Sequence, residues 1–401
     1  MASSFTQRGP NDSGTIELLR DDELQLRSSS NNRPPVSVNR DEQVEALKAL
    51  HEVLITPIQE ELTESVIFLP QEKLYLVPFP ALQSSENSLI DNHQISLAPS
   101  IRVLNNYRQL PVEMPKRFET LVVGDPDTSG VKLPSSEEDT GSLPRLKGTQ
   151  VEAKHIAELL RTDPILDKNA TERTIIEKAS NAKIIHIAAH GILDSPNSLV
   201  VSDVGTIIEE SSGNQELLDE AYDDELRRDR LQQSVDEATS NLLPGAIVLA
   251  ASGEDDASTR NDGLLTAYEI LDLQLNADLI VLSACNTAQG IPGDSSILGI
   301  PYALSNVGVA RAVVSVWPVP DGATSRLMRE FYLAMNENSN ELNEYGKRTG
   351  NIDPDKALQI AMTKVKAIPK YRDPINWAGF TIIELGGTPG QSDPVSPIEK
   401  K

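Results

Sequence analysis

Apolar and polar positions along this chain alternate between two rhythms. Short unbroken apolar runs, each closed by glycine, proline or small polar residues, recur at Thr120-Leu-Val-Val-Gly-Asp-Pro126, Lys183-Ile-Ile-His-Ile-Ala-Ala-His-Gly191, Gly245-Ala-Ile-Val-Leu-Ala250, Leu279-Ile-Val-Leu282, Ala312-Val-Val-Ser-Val-Trp317 and Trp377-Ala-Gly-Phe-Thr-Ile-Ile383. Runs this short with no polar face for water are predicted as strands buried on both sides. Between them, apolar residues fall at helical spacing. The series Val44, Leu47, Leu50, Val53, Leu54 predicts a helix from Glu42 towards Pro57, and Val151, Ala153, Ile156, Leu159, Leu160 predict one over Thr149 to Arg161. Further helices are predicted over Thr171 to Ser180 with Asn169 or Thr171 as cap, Gly263 to Leu271, Ser296 to Val307, Asp321 to Met335, and Pro354 to about Ile368. Strand and helix in alternation predict an α/β domain with a doubly wound, mostly parallel sheet. Near the N-terminus, Ser65-Val-Ile-Phe-Leu-Pro70 and Lys73-Leu-Tyr-Leu-Val-Pro-Phe79 are expected to pair as a β-hairpin.

Three stretches lack either rhythm. Residues 1–42 are rich in Ser, Asn, Arg, Asp and Pro and read as a loosely packed tail, as do residues 386–401. Between Asp203 and Ser240, twelve acidic residues stand against three basic ones, which marks an acidic insertion within a domain spanning residues 43–385. The insertion carries more than a third of the net charge of -24. A field of that sign repels phosphate backbones and anionic lipid, and argues against nucleic acid or a membrane as the main partner. With one cysteine there is no intrachain disulfide, and the N-terminus carries no apolar signal segment; both favour a cytoplasmic protein.

Candidate chemistry lies where two of the apolar runs stop. Cys285 follows the run Leu279 to Leu282, and His190, followed by Gly191, ends the run that starts at Lys183. If both strands are parallel, the two residues share one edge of the sheet, where open α/β sheets collect their functional groups. Taken alone, Cys285 reads more readily as a small buried hydrophobe, and His190 as a buried histidine. Together they point to nucleophilic chemistry: an imidazole that accepts the thiol proton, holds the thiolate and later protonates an amine leaving group. Gly191, lacking a Cβ, lets its N–H approach a carbonyl oxygen and pair with the Cys285 N–H as an oxyanion hole. His186 lies an even number of positions from His190 and is expected either near the site or as core filling. Asp125, at a strand end, and Asp294, after Cys285, are candidates for lining a pocket for a basic substrate side chain, or for capping turns. His51, His93 and His155 have no carboxylate or cysteine at ligand spacing, so no zinc site is expected, and no glycine-rich phosphate loop precedes a helix. No cofactor is expected.

The ordered set of segments Ile67-Phe-Leu-Pro70, Leu74-Tyr-Leu-Val-Pro-Phe-Pro-Ala-Leu82, Val122-Val-Gly-Asp-Pro126, Ile184-Ile-His-Ile-Ala-Ala-His-Gly191, Asp262-Gly-Leu-Leu-Thr-Ala-Tyr-Glu-Ile270, Val281-Leu-Ser-Ala-Cys-Asn-Thr287, Val314-Ser-Val-Trp-Pro-Val319 and Asn376-Trp-Ala-Gly-Phe380 resembles CHAT domains. These are caspase-like cysteine proteases of the caspase/separase/gingipain clan, common in cyanobacteria and often joined to TPR repeats. The resemblance implies a caspase-like three-layer α/β/α sandwich and a cysteine endopeptidase acting on protein or peptide substrates. It makes His190 and Cys285 the dyad, and Gly191 with the Cys285 amide the oxyanion hole. The chain departs from the pattern in its long acidic insertion and in having no TPR array of its own. The context Ser-Ala-Cys-Asn-Thr also differs from the caspase cysteine motif, so aspartate specificity does not carry over. The competing reading is a catalytically silent adaptor. A regulatory protein partner is a further expectation, and the insertion, which lies between the two catalytic strands and contains Leu226-Arg-Arg-Asp-Arg230, is expected to screen the site or to be cut during activation.

Overall fold

The computed structural model describes residues 40–84, 87–101, 103–104, 112–113, 119–131, 143–192, 245–252, 261–285, 287–288, 290–292, 297–338 and 351–387. The acidic insertion at 203–240 and Asp294 lie outside the described residues, as does nearly all of both expected tails.

Strands run β1 (Ser65–Phe68), β2 (Gln94–Leu97), β3 (Val112–Glu113), β4 (Thr120–Pro126), β5 (Ile165–Asp167), β6 (Ile184–Ala188), β7 (His190–Ile192), β8 (Ala246–Val248), β9 (Leu264–Thr266), β10 (Leu279–Ser283), β11 (Gly290–Pro292), β12 (Ile297–Gly299), β13 (Arg311–Ser315), β14 (Asn351–Ile352) and β15 (Phe380–Glu384). Eight of them form one sheet in the order β1-β2-β15-β13-β10-β6-β4-β5. Every neighbouring pair in it is parallel except β13 with β15. At that junction Arg311 and Glu384 stand directly opposite one another and form a buried ion pair, Nε to Oε2 at 3.3 Å. The mixed α/β architecture with a mostly parallel central sheet is the one the alternation predicts.

The unbroken apolar runs explain the middle of this sheet. Every residue of β6, β10 and β13 is buried. Because side chains alternate across a strand, burial of consecutive residues means that both faces are covered. Over one face lie α2 (Lys147–Leu159) and α6 (Asp321–Asn338), which supply Glu152 and Tyr332 to the buried His186; α7 (Pro354–Lys366) packs against α6. The other helices are α1 (Arg40–Leu54), α3 (Glu172–Ala179), α4 (Ala267–Leu271) and α5 (Ile300–Asn306). Gly124 admits α2 to the sheet: a Cβ there would lie 2.5 Å from the Ala153 Cβ and 2.6 Å from the Thr149 carbonyl oxygen.

Helix starts follow the expected chemistry. The Thr171 hydroxyl accepts from the Thr174 N–H at 3.3 Å, and Asp353 accepts from Lys356 at 3.1 Å ahead of Pro354. Asp321 does more than begin its own helix, since its carboxylate accepts the Gly148 N–H at 2.7 Å and so joins the starts of α2 and α6. None of the helices among the described residues is long and apolar enough to cross a membrane.

The expected N-terminal hairpin does not form. Residues Glu72–Leu76 and Phe79–Ala81 are 3-10 turns, and β1 pairs instead with β2 in parallel. Pro70, Pro78 and Pro80 deny the segment the N–H groups of a ladder. Tyr75 and Phe79 are buried, with Phe79 stacked on Phe68 at 4.2 Å between ring centroids, while Leu74 and Leu76 stay exposed.

Candidate active site

The site is set by strand register. Gly124 of β4 pairs with Ala188 of β6, and Ala188 with Ser283 of β10. Two residues beyond Ala188 stands His190, and two beyond Ser283 stands Cys285, so the parallel ladder brings both to the same height at the carboxyl edge of adjacent strands. The chain does not simply continue past Ala188. His190 to Ile192 form β7, the first strand of a separate antiparallel sheet with β8 and β9, in which His190 pairs with Val248 and Gly191 with Ile247.

Gly191 and Cys285 meet through their backbones. A Cβ built on Gly191 would lie 2.2 Å from the Cys285 carbonyl oxygen and 3.0 Å from its nitrogen, closer than a side chain tolerates. Only glycine permits this approach. Cys285 is 1% exposed and His190 is 3% exposed. The Cys285 Sγ accepts the Val319 N–H at 3.3 Å and lies 3.9 Å from the Val319 carbonyl oxygen, to which the thiol donates. The turn after the cysteine is tied to the end of β13. The Ser315 Oγ–H donates to the Ala284 carbonyl, Ser315 N–H donates to Thr287 Oγ1 at 2.8 Å, and Ala288 N–H donates to the Ser315 carbonyl at 2.8 Å. Gly379 in turn admits the segment bearing Val319, since a Cβ there would lie 2.6 Å from Trp317 Nε1 and 2.8 Å from Val319 Cγ1.

The His190 ring is oriented from the far side. Its Nε2 lies 2.8 Å from the carbonyl oxygen of Pro144. A carbonyl can only accept, so the contact assigns the Nε2 proton and leaves Nδ1 as the basic nitrogen of the neutral ring. Nothing in the sequence pattern singled out Pro144, which sits in a polar loop with no period; its sole signal was its place just ahead of a predicted helix.

The other candidates separate. His186 is fully buried, with Nε2 3.0 Å from Glu152 Oε1 and Nδ1 3.3 Å from the Tyr332 hydroxyl. Burial first, and the Glu152 charge second, hold the Tyr332 phenol well above its ordinary pKa, so it keeps a proton to donate. His186 is thus part of a closed core network rather than a surface that substrate could touch. Asp125 does lie at the carboxyl edge, one strand from His190, in a left-handed conformation with φ 44°. Its carboxylate is engaged: Arg145 Nε donates to Oδ1 at 2.7 Å and Nη2 to Oδ2 at 2.6 Å, and Gln150 adds a bond to Oδ2 at 3.2 Å. That geometry fits the turn-holding role better than an open pocket for a basic side chain.

Residues 44–384 match the model of the CHAT domain family. Over 396 residues the chain is 25% identical to mouse Tetratricopeptide repeat protein 28, covering 92% of this chain and 14% of that protein. The human protein of the same name is 26% identical over 407 residues, with 96% and 14% covered. The chain therefore spans about a seventh of the length of these curated relatives. Among solved structures, separase in the Saccharomyces cerevisiae separase-securin complex overlaps with a TM-score of 0.42 at 12% identity, over 79% of this chain and 15% of that one. The Arg-specific cysteine proteinase gingipain R overlaps with a TM-score of 0.44 at 11% identity, over 88% and 68%. Matched to its family model from Val44 to Glu384, the chain belongs to the CHAT domain family.

Proposed function

We propose that this chain is a cysteine endopeptidase that works through His190 and Cys285. The observation that carries the reading is the backbone approach of Gly191 to Cys285, so close that a Cβ on Gly191 would lie 3.0 Å from the Cys285 nitrogen. In the reaction, His190 Nδ1 takes the thiol proton and the Cys285 sulfur attacks the scissile carbonyl carbon. The carbonyl oxygen becomes an oxyanion that accepts from the N–H groups of Gly191 and Cys285. The imidazolium then protonates the leaving amine as the peptide bond breaks, leaving a thioester that water hydrolyses with the same histidine as base. The Pro144 carbonyl steadies the imidazolium by accepting a hydrogen bond from its Nε2–H.

The second reading, an adaptor that uses the fold to bind a partner, is favoured by one observation: Cys285 is 1% exposed, with its sulfur bonded to the Val319 amide. On the peptidase reading, the Val316 to Val319 segment must shift when substrate arrives. A proteome-wide cleavage-site profile comparing the chain with Cys285→Ala and His190→Ala decides between them. The peptidase produces new peptide termini that both variants lose, by at least about a thousandfold in rate. Indistinguishable profiles for all three would leave the adaptor.

A further inference from the structure

The Pro144 carbonyl that orients His190 is itself held in place by its neighbour in sequence. Arg145 spreads its guanidinium over the ends of two strands. Nε and Nη2 grip Asp125 at the end of β4 in a two-pronged fork, and Nη2 also donates to Asp167 Oδ1 at the end of β5. Nη2 further approaches the Asp125 carbonyl at 3.4 Å. Both aspartates have left-handed backbones, φ 44° at Asp125 and 54° at Asp167, and the ladder between their strands is irregular between Gly124 and Pro126. Aspartate tolerates that conformation better than most residues. The result is two carboxylates turned towards one cation instead of two strands continuing straight. On the other side of Arg145, Leu146 is tied down because its carbonyl accepts from Thr149 Oγ1 at 2.7 Å, and the same hydroxyl accepts the Asp125 N–H at 3.0 Å.

We propose that Arg145 is a positioning residue for the site. By clamping Asp125 and Asp167 it fixes the Pro144 carbonyl on His190 Nε2–H, and so keeps Nδ1 as the basic nitrogen of the ring. This rests on the peptidase reading for its consequence in catalysis, though not for its geometry. The clamp needs a planar fork that donates in two directions; a lysine offers one point charge and reaches one carboxylate well. Asp127 feels the charges of both Lys168 and Arg145.

The test reads the histidine directly. In the full chain carrying Cys285→Ala, 15N-histidine NMR resolves the tautomer of each of the five histidines, with His190→Asn assigning the signal. The expected result is a neutral His190 protonated at Nε2, converted to a mixture of tautomers by Arg145→Gln and only partly restored by Arg145→Lys, whose point charge reaches one carboxylate. The half-exposed Asp167 offers a second variant, Asp167→Asn, which weakens one arm of the clamp without opening the core and is expected to shift the mixture in the same direction. In the active chain, Arg145→Gln is expected to lower kcat at least tenfold with KM little changed, since the loss is in proton transfer and not in binding. A His190 signal that stays in the single Nε2-protonated form in both Arg145→Gln and Asp167→Asn overturns the proposal. Because the tautomer is measured without turnover, that outcome is distinct from failure of the peptidase reading, in which the parent chain cleaves nothing.

Discussion

At the scale of single residues, Gly191 is the sharpest test of how sequence becomes chemistry here. Its substitution by alanine places a methyl group 2.2 Å from the Cys285 carbonyl oxygen, with backbone on the receiving side and no flexible side chain to give way. The two strand ends must separate by an ångström or more, which costs about 1–3 kcal/mol of stability. The same displacement pulls the two N–H groups of the proposed oxyanion hole out of register. Gly191→Ala is therefore expected to fold with a lowered melting temperature and to lose roughly 100- to 1000-fold in kcat. Thermal unfolding and peptide cleavage measured side by side check this, and unaltered kcat in a destabilised protein would remove Gly191 from the machinery. That His190, Gly191 and Cys285 could be named from sequence follows from where they stand: each ends or follows an apolar run, so strand position alone brings them to one edge. Pro144, Arg145 and Val319 could not be named in the same way. They reach the site from loops whose course depends on tertiary contacts, such as the Arg145 fork on Asp125.

Between elements, the small sheet that carries His190 is braced by a buried acid. Glu172 opens α3 and is 1% exposed, and its Oε2 accepts the Gly263 N–H at 2.8 Å just ahead of β9. Burial is the main cause that lifts its pKa to about 7, helped by the charges of Glu269 and Asp262 and opposed by the Gly263 N–H. A raised carboxyl holds its proton in the folded chain at pH values where the unfolded chain has released it. Its contribution to stability is thus fully present below the unfolded value of about 4.5, and is lost as pH rises through about 7. Glu172→Gln keeps the acceptor for Gly263 and removes the charge. The variant is expected to match the parent near pH 4.5 and to exceed its stability by about 1–2 kcal/mol at pH 8, as read from urea unfolding at the two pH values. A constant offset at both would show that the charge of Glu172 is not what matters. This sheet also marks the limit of periodicity as a guide. Gly263 to Leu271 reads as one short helix, yet its first half is β9 and only Ala267–Leu271 is helical, divided at Thr266 by a capping box with Glu269. The Thr-x-x-Glu signature was in the sequence, but three residues of strand are too few to show a period. The false hairpin near the N-terminus fails because β-rich composition is only local: Glu72–Leu76 turns as a 3-10 helix, and β1 pairs with β2 instead.

For the whole molecule, the consequential fact is where the acidic insertion is rooted. The described chain leaves the small sheet at Ile192 and re-enters it at Ala246, and these two residues are paired across β7 and β8. Everything from residue 193 to 244, including the Asp203 to Ser240 stretch, therefore departs from and returns to the strand pair that holds His190 and Gly191. An insertion elsewhere on the surface would be tolerated as a long loop with little effect on the site. One rooted two residues from the proposed base is expected to act on it through the negative field of its twelve acidic residues against three basic ones. That field would draw basic substrate segments in and turn acidic ones away, and would do so less at high salt. Deletion of Asp203 to Ser240 is expected to leave β7 and β8 paired, because their ladder lies wholly outside the deleted stretch. It should change the rate and the charge preference of cleavage across a peptide library, most of all at low ionic strength. An unchanged rate together with unchanged selectivity at both low and high salt would show the insertion to be a passive loop, and would place control of Cys285 with the Val316 to Val319 segment that covers its sulfur.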